Sequence, residues 1–351
     1  MSASSSSNTG HKRRRTVEGD QAYPPINEMT KDSTLWYSDG NIVVGAGQTL
    51  FRVHKSILSQ HSTVFGDMLG GFPHSGDFVE GCPFVRLFGD DPAEVRCMLQ
   101  EMYGLRGRED RKVSIELLCA LIRLGRKYDV AAMQKLGVSI LRELYGPDLQ
   151  PFKARQWFYG NGTTSDRFSD NKALDFPVRP WKREFCFVIY ALARDHEMKH
   201  TAARALYECC HFPLAMLNTT LIPTLTPDIF WACALGREEL PKRGAAQLLK
   251  LDPEQLEGRM NRASDLLGCE KTRTCKPLLE KTFDLVKSGV APARFDILGV
   301  DCRREAFFRK AREGLCSHCR INLDSVMWAE GKAAWKALPD LFATAMKGSP
   351  I

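Results

Sequence analysis

Cys316 and Cys319, in the run Cys-Ser-His-Cys, stand at the two-residue spacing a metal knuckle uses. Upstream, Cys269 and Cys275 have five residues between them and could complete a tetrahedral all-cysteine zinc site. Cys302 and His318 compete for the same role. Four protein ligands leave zinc no open position, so such a site staples a loop-rich chain end and does no chemistry. Cysteine is also among the most buried residue types and packs as a small hydrophobe. Both readings stand, zinc as a cofactor or unliganded structural thiols, and the general habit of cysteine favours the second.

Other candidate chemistry is thinner. Gly45-Ala46-Gly47 invites a phosphate-cradle reading, but the third glycine is absent and no parallel strand–helix–strand unit follows. A hairpin turn accounts for it better. His54 has no nucleophile or converging carboxylates beside it in the sequence, which argues against a general base. Cys209-Cys210-His211 precedes Pro213 at a predicted helix end and reads as core and capping residues. Nothing here makes an active site, so no catalysis is expected.

The elements that position these residues are legible in part. Residues 39–69 read as strand, turn, strand, helix, helix. Ile42-Val43-Val44 is a β-branched strand, residues 45–47 a turn, and residues 49–53 a second strand. A helix opens at His54-Lys55-Ser56-Ile57-Leu58, and Ser62 caps another whose apolar face is Phe65, Met68 and Leu69. Phe84-Val85-Arg86-Leu87 is a third strand. Asp91, Pro92 and Glu94 form a capped helix start, with Val95, Met98, Leu99 and Met102 on one face. Ile115, Leu118, Cys119 and Ile122, then Met133, Leu136, Ile140 and Leu144, give two more amphipathic helices.

Asp39 at a strand opening, Phe51, His54, Lys55 and Leu58 as Phe-x-x-His-Lys-x-x-Leu, and Ser62 and Phe65 as Ser-x-x-Phe resemble the signature of the BTB (POZ) domain. Tyr103-Gly104 and the segment from Leu124 to Val130 resemble later elements of that family. The spelling at residues 36–42 and 79–83 is most similar to BTB proteins of mushroom-forming (basidiomycete) fungi. Trp335, Leu338, Pro339 and Phe342 match a Trp-x-x-Leu-Pro-x-x-Phe strip near the C-termini of those proteins. The resemblance implies an α+β fold: a BTB/POZ domain, with a small β-sheet and a cluster of α-helices, then a mainly α-helical C-terminal domain. It implies protein–protein interaction rather than catalysis, with His54 structural. Asp39 and Lys55 match positions where transcription-factor BTB domains place an acid and a base in one pocket, read first as a buried pair fixing the fold. Phe78-Val79-Glu80 resembles the apolar-x-Glu motif of BTB adaptors for cullin-type ubiquitin ligases, making Phe78 and Glu80 the candidate partner-binding residues. Dimeric relatives carry a long helix before the Asp39 position. Here only a short ordered-looking stretch separates the tail from Asp39, which argues against that homodimer.

The division expected is a disordered tail at 1–30, the BTB/POZ domain at 31–146, a linker or irregular packed loop at 147–180, a helical domain at 181–260, and a cysteine-containing helical region at 261–351. The tail holds Ser4 to Ser7 and Lys12-Arg13-Arg14-Arg15, a basic run that reads equally as a short nuclear-import signal or a solvated charged tail. Trp181, Phe185, Val188 and Leu192 share a face, and a helix is predicted over 199–209. Further helices start at Thr226-Pro227-Asp228, running through Trp231 to Leu235, and at Asp252-Pro253-Glu254. A last one is interrupted at Leu338-Pro339.

The 351 residues, 44% hydrophobic and 26% charged, supply ample core. The net charge of +7 is not gathered into a stripe, so nucleic acid is not an expected partner. No signal peptide or membrane segment is read, and the twelve cysteines therefore point to reduced thiols or a metal in an intracellular protein, nuclear or cytoplasmic. The expected function is a scaffold or adaptor. Its sharper forms are a substrate adaptor of a cullin-type ligase and a nuclear, transcription-associated regulator.

Overall fold

The computed structural model describes residues 24–70, 76–105, 113–152, 182–212, 225–249, 272–287 and 312–347, with the single positions 177, 178, 217, 222, 269 and 298. The basic run at 12–15, Trp181, the helix start at Asp252, and Cys302 lie outside them.

Strand β2 (Ile42–Ala46) is buried along its whole length, as an unbroken β-branched run requires. It is the middle strand of a five-stranded sheet ordered β1-β3-β2-β5-β4, with β1 Thr30–Trp36, β3 Thr49–Val53, β4 Phe78–Val79 and β5 Cys82–Leu87. The β2–β3 and β4–β5 pairs are antiparallel, and β1–β3 and β2–β5 are parallel. The hairpin turn is Gly47-Gln48, one step later than the glycine pattern suggests. Gly45 and Ala46 are ladder residues opposite Leu50 and Thr49. Gly47 takes φ +51°, and a Cβ there would stand 2.8 Å from Pro92 Cγ, so glycine is required twice over. At Gly45 a Cβ would come within 2.7 Å of the Phe84 ring.

Period-two alternation loads both faces of the sheet. Ile42, Val44, Phe51, Val53, Val85 and Leu87 join the main core, whereas Val43, Leu50, Cys82 and Phe84 form a smaller cluster with Met29. Ile26 and Trp36 pack on that second cluster. The ordered chain therefore begins before residue 31: a 3-10 turn at Ile26–Glu28 leads into β1, and Arg86 Nη2 donates to the Pro24 carbonyl at 2.9 Å. Burying the outer face of the sheet is the reason residues 24–30 are not tail.

Helices α1 (Lys55–His61) and α2 (Thr63–Gly70) follow the hairpin, and α3 (Pro92–Met102), α4 (Ile115–Lys127) and α5 (Ala131–Tyr145) complete the N-terminal layer. The expected caps form. Ser62 Oγ accepts from Phe65 N–H at 2.9 Å, and Asp91 Oδ1 accepts from the N–H groups of Ala93 and Glu94 at 2.8 and 3.1 Å.

The second half supplies α6 (Phe185–Asp195), α7 (Lys199–Cys210), α8 (Pro227–Leu249), α9 (Thr272–Lys287) and α10 (Ser317–Leu341). Helix α8 continues past Leu235 through Pro241, and α10 runs through Pro339 rather than breaking there. Pro339 stands two positions before the helix end; it removes a single N–H donor, and Phe342 N–H still donates to the Leu338 carbonyl at 2.9 Å. The segment after α5 is packed: Leu149 and Phe152 are buried, and Val178 bridges to Val113. One continuous core joins the halves. Phe152 lies against Tyr145, Tyr207 and Trp335, and Trp335 Nε1–H donates to the Gly146 carbonyl at 2.9 Å. Tyr145 O–H donates to Glu208 Oε2 at 2.5 Å and Arg204 Nη1 to the Tyr145 carbonyl at 2.9 Å. Among the described residues no helix is long and apolar enough to cross a membrane.

Candidate functional site

The signature residues fall where strand β3 meets the helical layer. Phe51, Leu58 and Phe65 are fully buried core side chains. His54 ends the strand and precedes α1. Its backbone N–H donates to the Tyr103 hydroxyl at 2.8 Å, and its Nδ1 contacts the same oxygen at 2.8 Å. Tyr103 stacks on Tyr37 with ring centroids 4.9 Å apart, and burial raises its phenol above the usual range. His54 is thus a joint between sheet and α3. Its Nε2 lies 3.3 Å from Asp39 Oδ2. Ser62 is buried, caps α2 and donates to the Tyr128 carbonyl, while the Tyr128 ring stacks on Phe65 at 4.5 Å.

The expected buried Asp39–Lys55 pair does not form. Asp39 is exposed and its carboxylate lies beside the His54 ring, while Lys55 is half-buried and its N–H donates to Asn41 Oδ1 at 2.8 Å. Asp39 lies in the turn between β1 and β2 with its carboxylate in solvent, where a buried pair has nothing to bury it. A buried acid of this domain that the sequence reading missed is Asp32, on β1. Asp32 Oδ1 accepts from the N–H groups of Thr34 and Leu35, both at 2.9 Å, and Oδ2 pairs with Arg96 Nε at 2.6 Å. Burial alone would raise its pKa, but those N–H donors and Arg96 together hold it below the usual value.

Phe78 and Glu80 sit on and beside the short outer strand β4. Phe78 is 54% exposed. Together with Ile26, Met29, Leu50 and Val79 it lines an open groove of about 520 Å³ on the outer face of the sheet. Glu80 has φ +46° and is held by Lys31, with Arg52 Nη1 3.8 Å from its other oxygen.

A second groove, of about 450 Å³, runs between α3, α4 and α6 and gathers polar groups. They neutralise one another: Lys127 Nζ lies 2.7 Å from Asp90 Oδ1, and Arg123 Nη1 3.0 Å from Glu94 Oε1. Burial, and then the nearby Arg126 charge, lower the pKa of His196 at the groove's edge.

Two groups of cysteines lie together. Cys186, Cys209, Cys210 and Cys233 are buried in the core, where Cys210 Sγ donates to the Cys233 carbonyl at 3.6 Å. Burial pushes the thiols of Cys186, Cys209 and Cys210 up, so they behave as small apolar side chains. His211 caps α7, its Nδ1 2.7 Å from the Tyr207 carbonyl. The other set is Cys269, Cys275, Cys316 and Cys319, whose Sγ atoms all lie within 4.8 Å of one another. His318 points away from them, its Nε2 3.1 Å from Asn322 Nδ2.

A family comparison bears on the N-terminal part. The model of the BTB/POZ domain matches residues 27–143. No curated protein matched the chain. The matched span takes in all five strands, the hairpin, the His54 joint and nearly all of α5, and it starts where Ile26 and Met29 close the outer face of the sheet. Residues 27–143 of this chain are therefore a BTB/POZ domain, a protein–protein interaction module of a generally non-catalytic family, carried on an α+β chain with a helical C-terminal region.

Proposed function

We propose that this protein is an interaction scaffold or adaptor that recruits partners through the surfaces of its BTB domain. The observation that carries the reading is the exposed Phe78 on the two-residue outer strand, beside a groove whose apolar lining of Ile26, Met29 and Leu50 is bordered by Asn27, Lys31 and Asp77. An exposed aromatic at the rim of a groove is the kind of anchor that protein interfaces use, and a short edge strand leaves backbone groups for a partner to pair. Proximity labelling of the full chain in a fungal host, chosen because the spelling resembles fungal BTB proteins, tests it. Enrichment of one reproducible partner set supports the reading, and labelling no different from free ligase removes it.

A sharper form is a substrate adaptor of a cullin-type ubiquitin ligase, with the BTB domain on the scaffold and the helical region on the target. Phe78-Val79-Glu80 favours it through the exposure of Phe78, although Glu80 is already engaged by Lys31. Recovery of a cullin with the full chain supports this form, and its absence from the partner set rules it out. The basic run at 12–15 is the ground for a nuclear regulator. Deleting those four residues without changing a nuclear signal, or finding no nuclear signal, counts against it.

A further inference from the structure

We propose that Cys269, Cys275, Cys316 and Cys319 form a structural zinc site that pins the start of α9 to the start of α10. The four Sγ atoms lie within 4.8 Å of one another, with Cys269–Cys319 at 3.4 Å and Cys269–Cys316 at 3.8 Å. Thiolates about 2.3 Å from a tetrahedral zinc stand about 3.8 Å from one another. Disulfide sulfurs would stand at about 2.05 Å, and all four residues are free cysteines. An iron–sulfide cluster places its own atoms between the cysteines and would spread them wider than this set. The spacing fits one soft, tetrahedral ion.

The chain supplies the donors with a supporting shell. Cys316 N–H donates to Cys275 Sγ at 3.3 Å, and Cys319 N–H to Cys316 Sγ at 3.5 Å. Backbone N–H groups aimed at sulfur stabilise thiolates and fix their orientation. Cys316 is the N-cap of α10, Cys319 lies in its first turn, and Cys275 lies in the first turn of α9. Both helices thus present their positive ends to the sulfurs, which favours the thiolate over the thiol. One zinc and four thiolates carry a net charge of about −2, and the exposed Arg273, Lys276 and Arg320 flank the ligands in sequence. Three of the four cysteines are buried, so water has little access to the centre. With every position filled by protein, the ion closes the C-terminal region and offers no site for a substrate.

Metal content of the full chain, purified under reducing conditions and reconstituted with zinc alone, tests this. About one zinc per chain is expected, with a tetrathiolate charge-transfer spectrum when cobalt(II) replaces it. The Cys316→Ser/Cys319→Ser pair should lose both, and Cys97→Ser should keep both. If the double variant fails to fold, the wild-type chain still decides. Under native conditions a strong chelator should release four additional thiols to a thiol reagent. Less than about half a zinc per chain with no cobalt–thiolate band, no thiol release on chelation, or disulfides among the four cysteines each overturns the proposal.

Discussion

The indole N–H of Trp335 donates to the carbonyl of Gly146, joining α10 to the end of α5 across 189 residues of sequence. Trp335 is 1% exposed and its ring lies against Phe152, with the Arg204 guanidinium 5.1 Å from its centroid. The bond closes the helical region onto the BTB domain inside one hydrophobic core, so the two halves should unfold together. Trp335→Phe keeps most of the burial and strands the Gly146 carbonyl, which is expected to cost about 1–3 kcal/mol. Trp335→Ala adds a cavity and is expected to cost about 3–5 kcal/mol. Urea unfolding followed by circular dichroism should show a single transition at a lower midpoint for both variants. Two transitions in the wild-type protein would mean that the halves are independent.

Asp32 should make the BTB domain acid-sensitive. Its folded pKa lies below the unfolded value of 3.8, so its contribution to stability is present above about pH 4 and is lost as pH falls through the folded value. Asp32→Asn keeps the shape but removes the charge-assisted bond to Arg96, and should cost about 1–3 kcal/mol at pH 7. Stability measured against pH should fall below pH 4 in the wild type, with a smaller fall in the variant. Parallel curves for the two proteins would assign the acid sensitivity elsewhere.

Ser62 does two tasks with one hydroxyl: it caps α2 through Phe65 N–H and ties that helix to the Tyr128 carbonyl. Ser62→Ala is expected to cost about 1–3 kcal/mol, because a cap is lost and a buried carbonyl loses its donor. Ser62→Thr keeps the hydroxyl and should cost less. Thermal denaturation ranks the three proteins, and equal losses for Ala and Thr would show that packing, not the hydroxyl, matters at this position.

Local grammar carried the sequence reading a long way. Ser62 and Asp91 announce their helices through side chains that cap within three residues, and the β2–β3 hairpin follows from β-branched runs around glycine. The spacing of Cys316 and Cys319 likewise selected the set that gathers in space. What escaped was non-local. Strand β1 alternates poorly: its burial follows Asp32 and Leu35, a capped acid and an apolar residue three apart, and its register slips between Lys31 and Trp36. Met29 and Ile26 are ordered because they cover the far face of the sheet, which no window around residue 28 displays. The Trp335–Gly146 and Tyr145–Glu208 bonds join elements far apart in sequence and leave no local trace. Asp39 was placed by a resemblance, and the turn between β1 and β2 leaves it in solvent.

If partners are recognised through the BTB surface, Phe78 is the side chain whose loss should release them. Phe78 is exposed, so Phe78→Asp should change stability by no more than about 0.5 kcal/mol. Quantitative proximity labelling with wild type, Phe78→Asp and the remote surface variant Lys242→Ala, at matched expression, is the decisive measurement. Phe78→Asp should lose the principal partners at least about tenfold, as removal of an interface anchor worth about 1.4 kcal/mol or more requires, while Lys242→Ala should retain them. An unchanged partner set in Phe78→Asp would contradict recognition through this surface.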